Sequence, residues 1–163
     1  ATRVNVGAVS CNGEALSPQA GNAYAYVPPA TSPTGIDLTA SNEVTWNVGG
    51  GSGFSGFTRT IMGPCPITGE IGSGSTVVRG SGHTLTVSTV LSADSVLFAI
   101  GPVTRTLAGN AASCAFTPAE LGALNAGSAL AQVVSYSSAN EVIGGKRIYF
   151  VKQSLRSQTV TVQ

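Results

Sequence analysis

The groups that could do chemistry are few: one histidine, His83, three cysteines, Cys11, Cys65 and Cys114, and seven carboxylates, Glu14, Asp37, Glu43, Glu70, Asp94, Glu120 and Glu141. A serine or cysteine nucleophile usually takes its base from histidine, so a pair of Cys114 and His83 is the first arrangement to weigh. His83 stands among glycines at the mouth of a strand pattern, where a turn residue is the simpler reading. Cys114 precedes a helix signal by three residues and reads more simply as one arm of a disulfide. The carboxylates are isolated, mostly in turns or at a helix cap. Glycosidase pairs can be assembled from distant positions, but each carboxylate here already has a structural reason to be where it is. No spacing matches zinc, calcium or magnesium ligands. No catalytic, metal or cofactor residue is assigned, and the chain is expected not to be an enzyme.

One glycine motif needs a test. Residues 51–56 read Gly-Ser-Gly-Phe-Ser-Gly, a letter-for-letter match to G-x-G-x-x-G. The dinucleotide fingerprint requires a helix to open at the loop, so that its N-terminal amides meet the pyrophosphate. Residues 57–62 are instead rich in β-formers and end at Gly63-Pro64-Cys65-Pro66, and Glu70 has no second strand before it. A hairpin loop is expected. Gly145-Lys146 likewise lacks the glycine spacing and following hydroxyl of a phosphate loop.

The elements that must position these groups follow from composition and pattern. Only 9% of the 163 residues are charged, 21 are glycine and 36 are serine or threonine, where an ordinary chain has about 25% charged residues. Few charges and many hydroxyls suit an extracellular β-protein. The net charge of +1 and the scattered basic residues give no footprint for nucleic acid or an anionic membrane. No run of apolar residues is long enough to span a bilayer as a helix, and a processed secretory precursor is the natural reading of a chain starting at Ala1. No asparagine lies in a glycosylation sequon. In an oxidising compartment three cysteines imply one disulfide and one leftover thiol. Cys65 and Cys114, both in predicted loops, are the favoured partners, closing a loop worth on the order of 4 kcal/mol in the chain-entropy model.

Strand patterns cover residues 3–9, 43–48, 57–62, 76–79, 84–91, 96–100 and 103–107. The last third organises the rest: residues 129–136 and 147–151 carry apolar side chains on both faces, as central strands buried from two sides do. Residues 157–162 alternate, as a half-wet strand does. Residues 17–35 are rich in proline and read as an extended edge segment holding Tyr24 and Tyr26. Trp46 shares a face with Val44 and Val48 and is expected in the core. Leu85, Val87, Thr89 and Leu91 share another face. Thr117-Pro118-Ala119-Glu120 has the hydroxyl cap, early proline and glutamate three residues on that start a helix, with Leu121 and Leu124 inward and Asn125-Ala126-Gly127 ending it.

The expectation is one all-β domain over residues 1–163, an antiparallel β-sandwich with one short helix near residues 118–124. Its layout over residues 44–162 resembles the immunoglobulin-like fold in architecture, without the Cys, Trp, Cys spacing of antibody domains. A charge-poor sandwich with strand-like ends leaves edges that invite another chain. The expected role is an extracellular structural subunit of a fibre, pilus or surface assembly whose partners are other copies of itself, with residues 1–10 as a strand-exchange segment. The assembly strand is expected at Arg3, Val4, Val6 and Val9, or at Thr159, Val160 and Val162. The alternative is a secreted carbohydrate-binding or adhesin module using Tyr24 and Tyr26, with Phe54 and Phe57 assisting, since aromatic faces stack on sugars without charge.

Overall fold

Asn12 and Gly13 have φ of 48° and 85°, the pair of positive angles that a two-residue type I′ turn requires. The turn joins β1 (Val9–Cys11) to β2 (Glu14–Gln19), with Cys11 opposite Glu14. Asn12 then ties the turn to the next strand. Its Oδ1 accepts from Thr45 N, and its own N–H donates to Thr45 O, both at 2.8 Å. With β3 (Ala23–Ala25), β4 (Glu43–Val48) and β5 (Phe57–Met62) this makes an antiparallel sheet in the order β3-β2-β1-β4-β5.

The computed structural model describes residues 4–28, 30, 43–62 and 65–163; Arg3 and Asp37, singled out above, lie outside the described residues. Two compact units are resolved: the first comprises Ala1–Pro64 and Ala139–Phe150, the second Cys65–Ser138 and Val151–Gln163.

In the first unit the inward face carries Val9, Cys11, Val44 and Val48, all buried. Trp46 is on that face as its spacing predicts, yet it is only half-buried. Its cross-strand partner is Arg59, whose guanidinium must keep contact with Glu141 and water. Pro18 fits the edge expectation in a particular way. β2 pairs with β1 over residues 14–16 and with β3 over 17–19, so Pro18 has a neighbour on one side only.

Beyond residue 64 the chain runs through β6 (Ile67–Thr68), β7 (Thr76–Val77), β8 (His83–Thr86), β9 (Thr89–Val90), β10 (Ser95–Ile100), β11 (Val103–Ala108) and β12 (Ser113–Phe116). The helix α1 (Pro118–Leu121) and two long strands, β13 (Gly127–Ile143) and β14 (Lys146–Val162), follow. A five-stranded sheet has the order β11-β10-β13-β14-β7, and two-stranded ladders join β12 to β8 and β6 to β9. Strands make up 59% and helix 5% of the described residues, so the all-β expectation holds.

The core of the second unit lies inside that sheet, where Val96, Phe98, Ile100, Ala131, Val133, Val160 and Val162 meet Leu85, Phe116 and Leu121. The helix starts as its sequence dictates. Glu120 Oε2 accepts from Thr117 N at 2.7 Å, and Thr117 Oγ1 accepts from Glu120 N at 3.3 Å, which satisfies two orphan amides reciprocally. It closes at Leu121, and Leu124, also buried, belongs to the turn that follows.

Two patterns were redirected by pairing. The run 84–91 is not one strand, because Val87 N donates to Ala112 O while Ser88 N donates to Thr68 O. The chain changes partner there from β12 to β6, so Val90 turns inward and Leu91 is left 49% exposed. The strands expected to be buried on both faces are buried on one. Alternate residues of β13 from Ala131 to Ser137 are buried, whereas Leu130, Tyr149 and Val151 are exposed.

Phe98→Ala is expected to cost about 3–5 kcal/mol through the cavity it leaves. Leu91→Ala, on the exposed side of the switch, should cost under about 0.5 kcal/mol. Urea-unfolding midpoints read both, and comparable costs would mean that 84–91 keeps a single inward face.

Candidate functional site: an apolar cavity beside a sheet edge

Residues 4–8 run outside the regular strands, yet they are fixed by side-chain and main-chain bonds. Asn5 Oδ1 accepts from Gly7 N at 2.8 Å and from the Tyr24 hydroxyl at 3.1 Å, and that hydroxyl accepts from Val6 N at 3.3 Å. Tyr24 therefore pins β3 to the stretch ahead of β1. On its other side the stretch meets the glycine-rich loop, with Gly49 N donating to Ala8 O at 2.7 Å. A Cβ on Gly7, whose φ is +76°, would run into Gly50 O, and one on Gly51 would lie 2.5 Å from Asn5 O. These glycines are needed because two backbones approach without room for a side chain.

The loop itself closes by a pair of bonds between Gly51 and Phe54, each 3.0 Å. It is the hairpin connection that β-rich flanks predict, joining β4 to β5.

Next to this clasp lies a cavity of about 420 Å³ lined by Asn5, Val9, Leu16, Pro18 and Tyr24, among others. Val9 pairs with Leu16 and Pro18 with Tyr24, which puts the four side chains on the inward face of β1, β2 and β3. Its size falls within the usual range of ligand sites, and the lining is mainly apolar. Tyr24, expected as a ligand aromatic, lines this cavity. Tyr26, beyond the end of β3, is half-buried outside the lining. Asn5 and Leu16 were not anticipated, because Asn5 meets Tyr24 across 19 residues and no local signal marks the pair.

The expected assembly strands occupy different positions. Val4 is exposed and Val6 half-buried, while Val9 sits in β1 between Leu16 and Val48. Thr159 is exposed, and Val160 and Val162 are buried. β14 lies between β13 and β7, and Thr161 and Val162 pair in parallel with Thr76 and Val77. Gln163 O accepts from Arg79 N at 3.0 Å and from Arg79 Nε at 3.2 Å.

The Cys65–Cys114 disulfide is corrected by the structure: all three cysteines are free and buried. Cys65 Sγ donates to Ser135 O at 3.5 Å, and the Ser135 hydroxyl donates back to Cys65 O. Cys114 lies not in a loop but in β12, opposite Leu85 and within the core. Each thiol is thus held by its own surroundings.

His83 and Cys114 are brought onto one face of the β8–β12 ladder, at diagonal positions, since His83 opposes Phe116 and Cys114 opposes Leu85. Cys114 Sγ is directed at Ala115 O, 4.0 Å away, and does not bond His83 Nε2. Burial also raises the Cys114 thiol above its ordinary pKa and lowers that of His83, the reverse of what activates a thiol. His83 Nε2 is buried without a partner among the described residues.

The charged groups serve the framework. Arg59 Nε and Nη2 grip Glu141 at 2.7–2.9 Å, and this contact holds Glu141 below the usual carboxylate range. Asp94 is lowered by Ser138 N at 2.8 Å and the Ser137 hydroxyl at 2.9 Å. Among the described residues no group of three His, Cys, Asp or Glu is placed to hold a metal ion, and no helix is long and apolar enough to cross a membrane.

No protein-family model, curated protein or solved structure matches the chain.

Thiol labelling should find Cys11, Cys65 and Cys114 unreactive in the native protein and all three reactive in denaturant without reductant. A single reactive thiol in denaturant would restore the disulfide. Stability should fall in two steps on acidification. Because burial depresses the folded pKa of His83, its share is complete above about pH 6.5 and is lost as pH drops through that value to the folded one. Asp94, Glu120 and Glu141 are likewise depressed in the fold by their hydrogen bonds, so their share is lost below about pH 4. Urea midpoints of wild type and His83→Gln between pH 8 and 3 check this, the variant being expected to lack the first step.

Proposed function

We propose that the chain is a non-enzymatic extracellular building block of a fibre, pilus or surface layer, a β-sandwich of immunoglobulin-like layout whose copies join by β-strand addition. The observation that carries this reading is the apolar cavity beside β3, on a sheet with a thin core. Among the described residues of the first unit only five apolar side chains are buried, Val9, Cys11, Val44, Val48 and Phe150, against nineteen in the second. A unit that buries so little has most to gain from a neighbour.

β3 is the outer strand of its sheet and only three residues long. Among the described residues no strand flanks its outer side, and a strand laid along it would extend the ladder and deliver alternate side chains to the cavity over Val9, Leu16 and Pro18. The donor in this reading is the 1–10 segment of a neighbouring copy, exchanged for the contacts it makes in its own: residues 4–8, outside regular strands, give up Tyr24 and Gly49, and Val9 and Ser10 give up their places between β2 and β4. Residues 157–162 are less suited, being flanked by β13 and β7 in their own sheet. The charge-poor, hydroxyl-rich composition supports the extracellular setting.

Carbohydrate binding is the second reading, favoured by one observation: the Tyr24 hydroxyl is tethered to Asn5 and Val6, so its ring is a fixed wall of the cavity. A rigid aromatic face suits a sugar ring.

Size-exclusion chromatography with light scattering should show self-association of the full chain, lost on removal of residues 1–8 and weakened by Leu16→Lys. Unchanged association in both would rule out strand addition at β3. A glycan array with hits abolished by Tyr24→Ala, on a chain that stays monomeric, would favour the sugar-binding module.

A further inference from the structure

Over residues 151–158 of β14 the usual polarity of a strand is inverted, whereas Val160 and Val162 beyond them face the core. The side that packs inward carries Arg156 and Gln158, which bond loop carbonyls: Arg156 Nη2 to Ile67 O at 2.8 Å and Nε to Gly69 O at 3.2 Å, Gln158 Nε2 to Gly74 O at 2.7 Å. The opposite side presents Val151 and Leu155, 63% and 47% exposed. The adjoining strands continue the same surface. On β13 Leu130 is 45% exposed, and Val134 and Tyr136, half-buried, face Leu97 and Ser95 of β10. The positions that alternate with these are serine, threonine, glutamine and alanine. None of the strand positions facing this side in the second unit, from Thr104 on β11 to Thr161 on β14, carries a charge.

We propose that this outer sheet face packs against the same face of a second copy of the chain. Polar groups turned in and apolar groups turned out are the pattern of a sheet meant to be covered on both sides. Charge selects the occupant: a nucleic acid or an anionic membrane calls for basic groups, and the face has none. A two-fold interface sets each surface patch against itself, so like charges on it would meet like charges, and a face without charge escapes that repulsion. Extent agrees. Strands spaced about 4.8 Å apart and rising about 3.3 Å per residue give two short and two long strands a flat footprint of roughly 500 Å². Side-chain relief brings this towards the ~800 Å² per partner of a standard interface. The face belongs entirely to the second unit, so it stands apart from strand addition at β3.

The test is analytical ultracentrifugation of the full chain over a concentration series, beside Val151→Lys with Leu155→Lys, Val151→Thr with Leu155→Thr, and the chain lacking residues 1–8. The face contact predicts dimerisation that the lysine pair weakens by at least about 30-fold, that the threonine pair weakens less, and that persists without residues 1–8. The threonine pair keeps strand propensity and charge, so it reports on the contact even where two lysines unsettle the sheet. Association unaltered by both face variants, or a full chain that stays monomeric throughout, would overturn the proposal; association lost only on removal of residues 1–8 would overturn it while leaving strand addition standing.

Discussion

The pairing of β10 with β13, six residues deep from Ser95–Tyr136 to Ile100–Ala131, is the interaction on which the second unit depends. In an antiparallel ladder a slip of one residue sends every side chain to the opposite face. The observed register puts Val96, Phe98, Ile100, Ala131 and Val133 inside and Leu97, Val134 and Tyr136 outside. The same register turns the Ser135 hydroxyl towards Cys65 O and leaves Tyr136 O to accept from Asp94 N. Core, outer face and the anchoring of the loop at Cys65 are consequences of one alignment.

The first unit is held by a different constraint. Among its described residues the inward face buries few side chains, and closeness of backbone stands beside bulk of side chain. Gly7 and Gly51 let the stretch ahead of β1 lie against the β4–β5 loop, and Asn5 locks that stretch to Tyr24. Phe54, Phe57 and Phe150 add edge-on ring contacts at centroid distances of 6.0 Å. The bidentate Arg59–Glu141 pair is more than two-fifths exposed at each end, where an ion pair fixes geometry more than it adds stability. A unit built this way has its strongest features along its backbone, the part of a chain that another strand can extend.

Much of the fold was legible because it depended on short-range chemistry. The Thr117–Glu120 box started a helix where it was expected, since both partners lie within one turn. The glycines at 51–56 form a hairpin connection, as the β-rich residues after them predict, although the close approach of Gly51 to Asn5 O could not be read from the motif. The run 84–91 misled, because a change of ladder partner at Val87–Ser88 reverses the face and leaves no trace in the alternation before it. Trp46 was placed on the correct face but not at the correct depth, since depth depends on Arg59 across the ladder.

By itself the sequence determined the all-β class, the Asn12-Gly13 turn and the capped helix, because each is decided by residues a few positions apart whose backbone preferences need no distant partner; the strand expected over 3–9 forms only from Val9 onward, as β1. Only the tertiary structure decided which ladders formed, that Cys65 and Cys114 stay apart, that Asn5 meets Tyr24, and that Val151 and Leu155 face outward. Those outcomes rest on contacts between residues far apart in the chain. An alternating pattern names two faces of a strand, and only the neighbours that arrive choose which one is covered.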